Sequence, residues 1–158
     1  MFPIRLQAGE KALRFSNVGS PWCAQLWLSS SSFDPHATYR LRARVKVCKK
    51  ALQQTDAEAF NIGVYDVSES KTRLCCSRKA SALQDGEWSW VDCGMWIPDD
   101  GQYIWVSSGA YDAKHFPANP SVENLYLDQI EILLVGGSAS SETSEECRES
   151  KKKRSDTQ

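Results

Sequence analysis

Strict alternation between Ala37 and Val47 constrains this chain more than any other feature. In ATYRLRARVKV, Tyr39, Leu41, Ala43, Val45 and Val47 fall on one face, and Arg40, Arg42, Arg44 and Lys46 on the other. A period of two is the side-chain period of a β-strand, so the apolar set must meet a core while the cationic set stays in water. The same pattern recurs, less strictly, at residues 11–17, 23–28, 59–67, 72–77, 88–97, 103–108 and 125–135. Turn-rich pieces separate these runs, among them residues 17–21, 29–36, 84–87, 98–102 and 113–121. No segment carries apolar residues at helical spacing with caps at both ends, and the nearest, residues 51–59, is short and polar. Short strands without intervening helices predict an all-β fold, an antiparallel two-sheet β-sandwich of the jelly-roll kind.

A chain of 158 residues is long enough for one hydrophobic core. Its formal net charge of −1 provides no basic field for a polyanion, so neither nucleic acid nor a membrane surface is an expected partner. No run approaches the roughly 18 apolar residues that span a bilayer. The start, MFPIRLQAGEK, lacks the apolar core of a secretory signal, although a domain cut from an exported protein would lack one as well. From Gly136 the composition turns to Ser, Glu and Lys without large apolar side chains. The expected organisation is therefore a sandwich over residues 1–135 and a disordered charged tail over 136–158.

The inventory for catalysis is thin. His36 and His115 sit in loop-like segments, no nucleophile elbow accompanies them, and Asp99 with Asp100 lies in Pro98-Asp99-Asp100-Gly101, where Pro and Gly spell a turn. Asp85 and Glu87 flank Gly86 in the same way. Cys23, Cys48, Cys75, Cys76, Cys93 and Cys147 show no zinc spacing, which leaves dispersed thiols or one structural disulfide. Asp128 stands apart, because simple alternation puts it on the inward face with Ile130, Ile132 and Leu134. A carboxylate there needs either a cation such as Ca²⁺ or pairing with an Arg or the backbone.

The chain is rich in Trp, at positions 22, 27, 88, 90, 96 and 105. Trp fills sandwich cores and also suits the apolar C–H face of a sugar. Alternation separates the two uses: Val91, Cys93, Met95 and Ile97 form one apolar face of their strand, which turns Trp88 and Trp90 outward. A similar count sets Tyr65 opposite Phe60, Ile62 and Val64. Tyr65, Trp88, Trp90 and the loop-borne Tyr111 are thus the candidate ligand platform, with Arg40, Arg42 and Arg44 either bonding hydroxyl groups or forming a solvated strand face.

In order along the chain, EKALRF, WCAQLWL, ATYRLRARVKV, AFNIGVYDV, EWSWVDCGMWIPDDGQYIWV and VENLYLDQIEIL resemble the galactose-binding-like sandwich modules attached to glycoside hydrolases. The pieces YRLRARVKV, GVYD and GEWSWVDCG look more narrowly like the C-terminal sandwich of large bacterial proteins whose main domain resembles an α-glucuronidase. The resemblance implies a non-catalytic module that binds carbohydrate and accompanies a catalytic domain. It also implies a structural calcium held through Asp128, for which Glu10 is the one nearby second acid in the sequence. The alternative reading is a structural or protein-interaction sandwich that binds no sugar.

Overall fold

A computed structural model describes residues 4–7, 12–16, 23–51, 57–109, 119 and 121–135. Nine strands occupy them: β1 (Ile4–Gln7), β2 (Leu13–Ser16), β3 (Cys23–Trp27), β4 (Tyr39–Lys49), β5 (Glu58–Asp66), β6 (Lys71–Lys79), β7 (Trp88–Trp96), β8 (Gln102–Ser107) and β9 (Val122–Leu134). They form two antiparallel sheets packed as a β-sandwich. One sheet runs β1-β9-β4-β7, with β2 also beside β9, and the other runs β3-β8-β5-β6. All eight alternating runs are strands, and β1 is an addition that its four residues were too few to announce. Residues 136–158, the expected tail, lie outside the described residues, as do 52–56, most of the segment nearest to a helix.

The core is what alternation demands. Leu41, Ala43, Val45 and Val47 of β4 are buried against Phe60, Ile62 and Val64 of β5, with Ile104 and Val106 of β8 and Leu125 and Ile132 of β9 completing the layer. β4 buries every second side chain from Tyr39 to Val47, and β8 does so from Gln102 to Val106, because the other face of each looks outward.

Two bulges revise the reading of faces. In β7, Leu41 pairs with Gly94 and Arg42 with Asp92, so Cys93 is an extra residue, and Gly94 takes φ 105°. One inserted residue exchanges the faces beyond it. Trp96 is therefore buried, while Met95 and Ile97, expected on the apolar face with Val91 and Cys93, are 42% and 43% exposed. A Cβ on Gly94 would both strain that φ and press on Leu74 Cδ1 at 3.0 Å. Gly94→Ala is expected to cost about 1–2 kcal/mol in urea unfolding with an unchanged slope; wild-type stability would contradict the bulge.

The second bulge lies in β9. Val45 pairs with Leu127 and Arg44 with Gln129, which leaves Asp128 as the extra residue. Leu127 and Ile130 both reach the core, and Asp128 is carried to the outer face, where Arg44 Nη1 donates to its Oδ2 at 2.9 Å. The inward placement of Asp128 expected from simple alternation is thereby corrected.

Candidate functional site

The sandwich presents two outer faces of different chemistry. On the β3-β8-β5-β6 sheet, residues of the same parity meet across strands because the antiparallel register aligns them. Trp27 pairs with Tyr103, and Tyr103 with Tyr65, which makes one aromatic row over three neighbouring strands. Ring centroids are 5.1 Å apart for Trp27 and Tyr103, tilted by 51°, and 5.5 Å apart for Tyr103 and Tyr65, tilted by 38°. Trp27 is 60% exposed, and Tyr65 and Tyr103 are half-buried.

The next row toward the other end of these strands is Gln25, Trp105, Gly63 and Cys75. Trp105 lies against the bare backbone of Gly63, where a Cβ would sit 2.6 Å from its ring and 2.6 Å from the Leu74 carbonyl oxygen. Beyond it, Asn61 donates to the Gly109 carbonyl and accepts from the Ser77 hydroxyl, fixing the start of the segment that follows β8. The face thus grades from rings to amides and hydroxyls within three rows. Trp27, Tyr103 and Trp105 were missed as candidates beside Tyr65, although alternation in residues 23–28 and 103–108 turns all three away from Leu26, Ile104 and Val106.

Immediately after Tyr65 the chain turns at Asp66, which is buried and holds the β5–β6 turn. Ser68 Oγ and the Glu69 amide donate to its Oδ1 at 2.6 and 3.1 Å, and Arg73 Nε and Nη2 donate to its Oδ2 at 3.0 and 2.8 Å. Gln102 adds a longer contact at 3.4 Å and accepts from the Asp99 amide at 3.2 Å, so the turn at Pro98–Gly101 is tied to the same carboxylate. These donors, Ser68 foremost, then the Glu69 amide and Arg73, hold the Asp66 carboxyl far below the ordinary 3.8, against the opposing effect of burial. A depressed folded pKa gives stability that is whole above the unfolded value and fades as pH falls below it. The gap in urea midpoint between wild type and Asp66→Asn is therefore expected to be widest at neutral pH and to shrink below about pH 3.8. A gap constant from pH 7 to pH 2 would contradict the network.

The outer face of the other sheet is a lattice of cations, rings and acids. Trp88 and Trp90 do stand there, 36% and 43% exposed, as alternation predicts. Cations of β4 cover them. Arg42 lies 4.5 Å over Trp90 and bonds Glu131, and Arg44 lies 5.4 Å from Trp88 and bonds Asp128. Lys46 sits between Trp88 at 5.0 Å and Tyr126 at 4.8 Å, and Arg40 pairs with Asp92 at 3.5 Å. Glu131, which is 2% exposed and also accepts from Gln129, is a buried acid that the sequence reading passed over. Of the expected platform, then, Tyr65 lies on one face and Trp88 with Trp90 on the other; Tyr111 lies outside the described residues.

Other candidates resolve into structure. Gly101 has φ 75° and Gly86 φ 71°, both turn conformations, and Asp85 Oδ1 accepts from the Lys49 amide at 2.7 Å. His36 lies in a loop, its amide bonded to Asp34. Among the described residues no group of three or more His, Cys, Asp or Glu is placed to hold a metal. The single carboxylate of Asp128, already bonded to a guanidinium, does not by itself fit a calcium cage, and Glu10 lies outside the described residues.

No protein-family model matches the chain, and no curated protein does. Its fold is similar to that of a family 22 carbohydrate-binding module. This is the C-terminal module of Clostridium thermocellum Xyn10B, 18% identical, with a TM-score of 0.50 over 85% of this chain and 83% of that one. The tandem CBM22 domains of Paenibacillus barcinonensis Xyn10C match at 14% identity, TM-score 0.48, over 90% of this chain and 42% of theirs. The α-L-arabinofuranosidase MgGH51 matches at 12% identity, TM-score 0.47, over 84% of this chain; the chain spans only 23% of that enzyme. At such identities the likeness is one of fold.

Proposed function

We propose that this chain is a non-catalytic carbohydrate-binding module that holds a glycan on the outer face of the β3-β8-β5-β6 sheet. The observation that carries the reading is the row of Trp27, Tyr103 and Tyr65 in register on three adjacent strands. Aromatic faces stack on the C–H faces of pyranose rings, and the neighbouring Gln25 and Ser77 offer hydrogen bonds to hydroxyl groups. Tilts of 51° and 38° between neighbouring rings keep the row from being planar, which suits a single soluble glycan chain better than a flat crystalline one. On the opposite face the indoles of Trp88 and Trp90 already carry cations, so we assign them to holding that face together.

The fold likeness to the family 22 carbohydrate-binding module of Xyn10B supports an accessory role beside a catalytic glycoside hydrolase domain. The resemblance of YRLRARVKV and GEWSWVDCG to the sandwich of α-glucuronidase-like proteins makes such a domain the natural partner. The test is affinity electrophoresis against a panel of soluble glycans with wild type, Tyr65→Ala, Trp27→Ala, Trp88→Ala and Trp90→Ala. Retardation lost in the first two variants and kept in the last two supports the reading. Uniform absence of retardation sinks it in favour of a structural or protein-interaction sandwich, and loss confined to Trp88 and Trp90 moves the site to the other face.

A further inference from the structure

The two sheets meet at a side of the sandwich where each ends, with β6 the last strand of one and β7 the last of the other. Cys76 on β6 and Cys93 on β7 both point into the core there, 7% and 4% exposed. The Cys76 thiol donates to the Asp92 carbonyl, one residue from Cys93, at 3.6 Å, and the Cys93 thiol donates to the Val91 carbonyl at 3.5 Å, so both thiols lie over the same stretch of β7. Cys93 is also the extra residue of the β7 bulge, so no residue of β4 stands opposite it. Cys75 takes the opposite parity and lies in the outer-face row with Gly63.

We propose that Cys76 and Cys93 form a disulfide that staples the two sheets, made as the chain folds under oxidising conditions. Each thiol gives up its hydrogen, the sulfurs join, and two protons and two electrons pass to oxidised glutathione, which leaves as two glutathione thiols. Once the reduced chain has folded, the neighbouring Cys76 thiol, and after it burial, push the Cys93 thiol far up, so little thiolate is present to react. The bond therefore forms quickly during refolding and slowly in the folded reduced protein. The inference is independent of any glycan.

The full chain is unfolded under reduction, refolded with reduced and oxidised glutathione, and then unfolded and alkylated. Two fewer of its six cysteines are expected to take the label. A tryptic peptide spanning Cys75 and Cys76 is expected to be joined to the one holding Cys93. The joined species should persist in Cys75→Ser and vanish in Cys76→Ser and Cys93→Ser. The oxidised protein should melt about 5–10 °C higher, a gain removed by dithiothreitol. Full labelling of all cysteines, a link that survives Cys76→Ser, or a linked protein that melts no higher would each overturn the proposal.

Discussion

Replacing Tyr103 with alanine is expected to abolish most glycan affinity, by at least tenfold and closer to thirtyfold, without unfolding the sandwich. Tyr103 is the middle ring of the row and touches both Trp27 and Tyr65. Its loss removes one stacking surface and also the wall against which the two outer rings are held. Truncating a central aromatic at an interface commonly costs about 2 kcal/mol or more, and tenfold in affinity is about 1.4 kcal/mol. Tyr103→Phe keeps the ring and should bind within about threefold of wild type, which separates stacking from any role of the hydroxyl. Trp90→Ala is the control on the other face: it uncovers Arg42 and should leave affinity nearly unchanged. Isothermal titration at one salt concentration measures all three. Equal losses for Tyr103→Ala and Trp90→Ala would show that the row is not the site.

Much of this arrangement was legible because a strand has only two faces. The alternation of Tyr39 to Val47 fixed the inner face of β4 outright, and the outward placement of Trp88 and Trp90 followed from the same count. The reading failed where one residue was inserted. Gly94 carries a signal of its own, since a glycine inside a strand often marks a bulge. The bulge at Asp128 carries none: nothing in LYLDQIEIL distinguishes an extra residue from a regular one, and only the partner strand reveals it. The ligand face fell short for a related reason. Tyr65 was found from its own strand, but that it stands in line with Tyr103 and Trp27 depends on the register of three strands far apart in sequence. The cations over Trp88 and Trp90 are likewise cross-strand facts. Local pattern yields orientation, whereas constellations require pairing.

Gly63→Val is expected to damage both stability and binding, and the comparison of the two losses tests how the face is built. A Cβ at this position meets two neighbours at 2.6 Å, the Leu74 backbone oxygen and the Trp105 ring. The carbonyl belongs to the adjacent strand and cannot withdraw without opening the β5–β6 ladder. The indole can withdraw only by leaving the backbone it lies on. Overpacking of this kind costs about 3 kcal/mol, read as a fall in urea midpoint with little change in slope. Binding measured well below the melting temperature should fall further than the unfolded fraction explains, because Trp105 is pushed out of its place beside the row of Tyr65 and Tyr103. Gly63→Ala brings the same Cβ with fewer atoms behind it and should show the same two effects, smaller. If Gly63→Ala were as stable as wild type and bound as tightly, strand and indole would both yield freely, and the close approach of Trp105 to the bare backbone would have no part in shaping the face.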